Sequence, residues 1–189
     1  MILGQFQTTG HDLFARGLVS SHSGDLSIRL GDRIIITRRG CRLSCLQEHD
    51  LIETGVSKND RATPLASVEL AVHRAIYQQT PALAVVHAHP PHTIALSLTE
   101  TEIVPSDAEG SAIVGQVPVL GWQEEVRVGG LADLIADSLK QCRIVMVRGH
   151  GSFAIGQLME EALNSTTTME QSSRILFLLK SLKVASAGS

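Results

Sequence analysis

The apolar run Ala82-Leu83-Ala84-Val85-Val86 passes directly into His87-Ala88-His89-Pro90-Pro91-His92, and no other stretch constrains the fold as tightly. It reads as a buried strand that must stop at the prolines. Side chains alternate across a strand, so His87 and His89 leave by the same face and can address one ion. A second apolar strand, Ile144-Val145-Met146-Val147, leads to His150, held between Gly149 and Gly151. Both strands end in turn-forming residues, which places the imidazoles at one sheet edge, where loops build sites. A histidine at a strand end is more often an ordinary hydrogen-bonded residue, so the pair gains its weight from the third. Three neutral histidines with one open position form the donor set of a catalytic rather than a structural zinc.

At 189 residues the chain is long enough for one well-filled core, and no linker, repeat or charge block divides it. The expectation is one domain over residues 1–189. A formal net charge of −3 with scattered Lys and Arg argues against a nucleic-acid surface. No apolar stretch approaches the roughly 20 residues needed to cross a bilayer, and the opening residues lack the basic start of a signal peptide. A cytoplasmic location is therefore expected, with no membrane partner. Cys41, Cys45 and Cys142 form an odd set expected to be reduced and mostly packed. Cys41 and Cys45 have no partner at zinc-finger spacing.

Apolar periodicity predicts a helix over residues 10–19 and a hairpin of strands 26–30 and 33–37 turning at Gly31-Asp32. Further helices are expected over 67–78, after Thr63-Pro64, and over 93–98, 130–139 and 159–182. A strand is expected at 117–120. A sheet of antiparallel hairpins covered by helices is the simplest assembly, an α/β sandwich. A metal that does chemistry needs an acid or base beside it. Glu69 is the leading candidate, because it opens the helix that precedes the metal strand and can return its carboxylate to the strand end. The plain alternative is a surface carboxylate that compensates the helix dipole.

Taken in order, the motifs form a specific set. They are Gly24 with Ser27 and Arg29, Ile36-Thr37 followed by Gly40, and Pro64 with Ser67-Val68-Glu69 and His73. Val85-Val86-His87-Ala88-His89 and Gly149-His150-Gly151 complete it. From about residue 10 to residue 182 the chain resembles the class II aldolase/adducin family, whose enzymes include fuculose 1-phosphate aldolases. The resemblance implies a three-layer α/β/α sandwich around a mostly antiparallel sheet. It implies His87, His89 and His150 as ligands of Zn²⁺, or of another divalent transition metal. Glu69 is implied as the carboxylate that rests on the metal and acts as acid/base once substrate displaces it. A small-molecule substrate and a homotetramer with sites near subunit interfaces are implied as well. Gly24, Asp25, Arg38, Arg39, Gly40 and Ser67 match the positions that hold the substrate.

The chemistry so implied is zinc-dependent retro-aldol cleavage of a ketose 1-phosphate or a related sugar derivative. A decarboxylase, epimerase or dehydratase on the same platform is the alternative. Adducin-like binding modules lack the histidine trio, so its presence here argues against that class. Several positions depart from the pattern. Phosphate-handling members carry Asn where this chain has Asp25, and a second serine where it has Val68. Arg38 and Arg39 replace a proline and a small residue, and are expected to pair with Asp25 or to bind an anion. The tyrosine that protonates the leaving aldehyde in several relatives has no counterpart, since the sole tyrosine, Tyr77, sits at a position that does not match. Asp107 and Glu109, in a polar turn, are the substitutes offered near the expected place. A catalytic C-terminal tail is expected to be absent. His92 is close enough in sequence to the ligand pair to orient a ligand or the substrate.

Overall fold

The computed structural model describes residues 2–121 and 130–187. Its strands are β1 (Asp25–Leu30), β2 (Arg33–Thr37), β3 (Leu51–Gly55), β4 (Ala84–Ala88), β5 (Glu102–Ile103), β6 (Val117–Leu120), β7 (Ile144–Val147) and β8 (Gly151–Gly156). Its helices are α1 (Ile2–Ala15), α2 (Leu70–Gln79), α3 (Pro91–Ser97), α4 (Ala108–Ile113), α5 (Gly130–Ser138) and α6 (Met159–Ala187). The strands form one sheet in the order β3-β2-β1-β4-β8-β7-β6-β5. Every neighbouring pair is antiparallel except β6 and β7. That parallel pair is separated in sequence by α5, as a crossover connection requires. The sheet is therefore mixed though mostly antiparallel, not purely a set of hairpins.

Helices cover both faces. On one side Phe6 and Leu13 of α1, Leu96 of α3 and Met159 and Met169 of α6 belong to the core that includes Val86, Met146 and Ala154. On the other, Ile76 and Tyr77 of α2 and Ile135 of α5 share a core with Val85, Val145 and Phe153. Adjacent residues Val85 and Val86 thus feed opposite cores, and all five residues of β4 are buried. Burial on both faces is why the strand reads as a continuous apolar run rather than an alternating one. The outcome is the three-layer α/β/α sandwich that the resemblance implied.

The elements differ from expectation where glycine misleads. The first helix runs from Ile2 to Ala15, not over 10–19, because Gly10 is an interior packing position and Gly17 is the stop. A Cβ on Gly10 would meet the Leu43 carbonyl oxygen at 2.3 Å, whereas Gly17 has the left-handed φ of +70° that ends a helix. Strand β8, bounded by Gly151 and Gly156, was not anticipated, and it pairs with both β4 and β7. Outer strand β3 was not anticipated either. Its Glu53 faces out to an ion pair with Arg33 at 2.9 Å. Among the described residues no helix is long and apolar enough to cross a membrane.

Candidate metal centre

The register of β4 against β8 builds the site. Ala88 lies opposite Ser152, so the end of β4, with His87 and His89, runs beside the start of β8 and the turn that carries His150. One nitrogen from each of the three histidines lies within 4.8 Å of the others. Within this group His87 Nε2 and His89 Nε2 are 3.0 Å apart. Two nitrogens on one tetrahedral zinc, each at about 2.05 Å, stand about 3.3 Å apart.

His87 is held on every side. Its Nδ1 donates to the Ser152 carbonyl at 2.9 Å, which leaves the Nε2 lone pair facing the centre. Its ring stacks on Phe153 with centroids 4.2 Å apart. Gly151 makes room, since a Cβ there would meet the Ala88 carbonyl oxygen at 2.5 Å and His89 Cδ2 at 2.8 Å. Burial pushes both His87 and His89 below the usual imidazole range, and for His89, aided by its histidine neighbours, down to about 4. Neutral imidazoles with aligned lone pairs fit a divalent transition metal.

Glu69 occupies the N-cap position of α2, one residue before the first turn, and its side chain does not cap the helix. The carboxylate instead lies 3.5 Å from His150 Nε2. That contact lowers the Glu69 carboxyl and raises the His150 imidazole. The three histidines, Glu69, Gly24, Asp25, Arg38, Arg39, Gly40 and Ser67 all line one cavity of about 240 Å³. A wider recess of about 720 Å³, lined by Ile113, Pro118, Asp137 and Cys142 among others, shares none of these residues.

The wall beside the triad departs from what the sequence suggested. Arg38 does not pair with Asp25. Its Nε and Nη2 donate to Asp50 Oδ1 at 3.1 and 2.8 Å. Asp25 is buried, 2.7 Å from His73 Nε2 through Oδ1, and its Oδ2 accepts the Ser67 hydroxyl at 2.7 Å. The Oδ1 contact is bent away from good hydrogen-bond geometry, and neither atom has another partner. Burial opposes ionisation of Asp25, but His73, His87 and Ser67 outweigh it and bring the carboxyl down to about 2. His73 Nδ1 meets Ser27 Oγ at 2.6 Å, and Ser27 Oγ meets Tyr77 Oη at 2.7 Å. This buried polar chain was missed as a unit. The signal was present, because His73 and Tyr77 are four apart on one helix face and Ser27 alternates inward on β1.

Three further candidates lie outside the cavity lining. His92 Nδ1 sits 2.6 Å from Glu170 Oε1 and its ring is edge-on to Phe177, both on α6. Asp107 caps α4 by accepting the Gly110 amide at 2.8 Å. Glu109 is exposed in the first turn of that helix. Tyr77, fully buried beside Ser27, does not line the cavity either.

Residues 5–177 match the model of the class II aldolase and adducin N-terminal domain family. The chain belongs to this family. Its fold superposes with a TM-score of 0.89 and 34% identity on an L-fuculose-1-phosphate aldolase of Thermus thermophilus, covering 97% of this chain and 96% of that one. A 3,4-dihydroxyphthalate decarboxylase of Arthrobacter keyseri is 29% identical over 92% of this chain and 74% of its own length. A probable bifunctional methylthioribose-1-phosphate isomerase/methylthioribulose-1-phosphate dehydratase of Nocardia farcinica is 25% identical over 86% of this chain, which spans only 33% of that protein. Within the class II aldolase family, then, this chain is similar to proteins named for carbon–carbon cleavage, decarboxylation and dehydration.

Proposed function

We propose that this protein is a zinc-dependent lyase that cleaves a carbon–carbon bond by retro-aldol chemistry, acting on a ketose 1-phosphate or a related sugar-derived substrate. The observation that carries the reading is the convergence of three imidazole nitrogens with a carboxylate, Glu69, 3.5 Å from one of them. His87, His89 and His150 would hold the zinc, and another divalent transition metal suits the same donors. When bound, the metal supplies Lewis-acid stabilisation for the negative charge that develops next to a carbonyl as the bond breaks.

The chain's own residues supply the rest. Cleavage turns a hydroxyl-bearing carbon into an aldehyde and leaves the ketone fragment in need of a proton on carbon. Glu69, ionised at rest beside His150, is placed to take the proton that the hydroxyl gives up and to return it to that carbon, because its carboxylate is free of any helix-capping bond. Gly24, Gly40, Ser67, Asp25, Arg38 and Arg39 form the wall that orients the substrate. Protein as purified is expected to carry about one zinc per chain. Chelator should abolish aldehyde release from ketose 1-phosphates, and Glu69→Gln should slow it by about 10²–10⁴ with zinc retained. A protein that binds neither zinc nor another divalent transition metal, or cleavage that survives chelation, sinks the proposal.

Decarboxylation at the same centre is the second reading. It is favoured by the ionised carboxylate of Asp25 in the wall and by the engagement of the Ser67 hydroxyl with it, both of which oppose a phosphate dianion at that end. Release of CO2 without aldehyde from a β-keto or aromatic acid would select it. The reading also places the protein in carbohydrate metabolism in the cytoplasm, as one domain in a homotetramer. Free Cys41, Cys45 and Cys142 support a reducing location, and exposed Phe177, Leu178 and Leu182 on α6 support self-association. Light scattering of the purified protein tests the assembly.

A further inference from the structure

The triad is drawn from two stretches of chain, and one short helix joins them. Helix α3 begins two residues after His89 and ends at Ser97. There the Gly149 amide, next to His150, donates to Ser97 Oγ at 2.9 Å. The Ser97 hydroxyl gives its own proton to the Ile94 carbonyl at 2.7 Å, so its lone pair has a fixed direction. Gly149 has the left-handed φ of +67°, and a Cβ on it would come 3.1 Å from Leu98 Cδ2, so the turn is shaped to rest on the end of this helix.

The other end of α3 is gripped as firmly. Glu170 of α6 accepts from the His92 amide at 3.1 Å and from the Thr93 amide and hydroxyl at 3.0 Å each. Pro91 at the first helical position has no amide to satisfy and a preset φ. His150 is more open, with a side chain 43% exposed whose ring contacts are the other two histidines, His87 stacked on it and His89 tilted to it, each with centroids 5.1 Å away. Its location depends on the backbone of its turn.

We propose that α3 is a strut that, added to the β4–β8 register, fixes the His150 turn against the ligand pair, with Ser97 the positioning residue for His150 and Glu170 the clamp at the far end. The inference rests on the reading of the triad as a metal site. A ligand presented ready-placed adds its full binding energy, whereas one on a loose turn must be ordered first, and losing such supporting contacts costs 10- to 100-fold in metal affinity.

The test is the affinity of the full-length protein for Co²⁺ and Zn²⁺, measured by competition with a chromophoric chelator and by the visible cobalt spectrum. Ser97→Ala is expected to weaken binding at least tenfold and to alter the cobalt bands, with the melting temperature of the metal-free protein little changed. Affinity and spectrum equal to those of the unaltered protein would overturn the strut, as would a loss of affinity matched by a general loss of folding. His150→Ala separates the two ideas. If it leaves affinity unchanged, the metal-site reading fails and the strut with it. Should Ser97→Ala not fold, amide exchange in the unaltered protein decides: Gly149 must be protected, and exchange as fast as in an open loop refutes the latch.

Discussion

Glu69 Oε1 stands 3.5 Å from His150 Nε2, a pairing that favours a proton on the imidazole just where a metal needs a lone pair. Since Glu69 raises the His150 pKa above the ordinary value of 6.5, metal must displace that proton. Zinc affinity is expected to climb as pH rises through this raised value. Glu69→Gln removes the cause and should move the midpoint of the climb to lower pH. Competition titrations between pH 5 and about 8 report it.

The same substitution separates binding from turnover. With the carboxylate replaced by an amide of like shape, zinc content should stay near one per chain. The rate should fall by about 10²–10⁴, the usual worth of a positioned acid or base. Metal analysis alongside aldehyde or CO2 release measures both.

His87 and His89 titrate the other way. Their folded-state values lie below the free imidazole value, for His89 from 6.5 to about 4. The unfolded chain therefore binds more protons in this window, and the metal-free protein should lose stability as pH falls from 6.5 towards 4. His150, shifted upward, contributes in the opposite sense and loses its part as pH rises. Chemical denaturation of the metal-free protein across this range should show the loss, and His89→Gln should flatten the curve.

Gly151 leaves no space beneath the rings of His87 and His89. Gly151→Ala should displace β8 from the end of β4, costing about 1–3 kcal/mol by overpacking and weakening zinc binding. Thermal melts with and without zinc distinguish the two losses.

The chain Asp25–His73–Ser27–Tyr77 is buried throughout. Tyr77→Phe removes one of the two hydrogen bonds of the Ser27 hydroxyl, leaving His73 Nδ1 as its partner, and is expected to cost about 1 kcal/mol in urea unfolding. Asp25, lowered from 3.8 to about 2, contributes stability that is whole above 3.8 and is lost as pH falls through 2. Its share is on the order of 2 kcal/mol and should disappear in Asp25→Asn.

What could be read in advance divides by residue type. Strands β4 and β7 announce themselves because both faces are buried and every position but His87 is apolar. The ligand spacing of His87 and His89 follows from strand alternation alone. Glycine hid more. Gly151 and Gly156 enclose a strand whose partners lie more than sixty residues away at one edge, and no local pattern encodes that. Arg38 illustrates the other limit. Its partner Asp50 lies in the one-turn helix Glu48–Asp50, a contact that no pattern around Arg38 announces, so the expected pairing with Asp25 does not form. The polar chain beneath the cavity escaped because it spans β1 and α2, and only the packed sandwich brings them together.

Strand β4 is fourth from one edge of the sheet, paired on both sides and covered above and below. Two of the three proposed donors ride on it or just beyond it, so they sit on the segment most resistant to opening. Fraying at β5 or at the tip of α6 would leave them undisturbed. Denaturant should consequently release zinc in step with cooperative unfolding, and the ion would serve as an internal reporter of the last structure to melt.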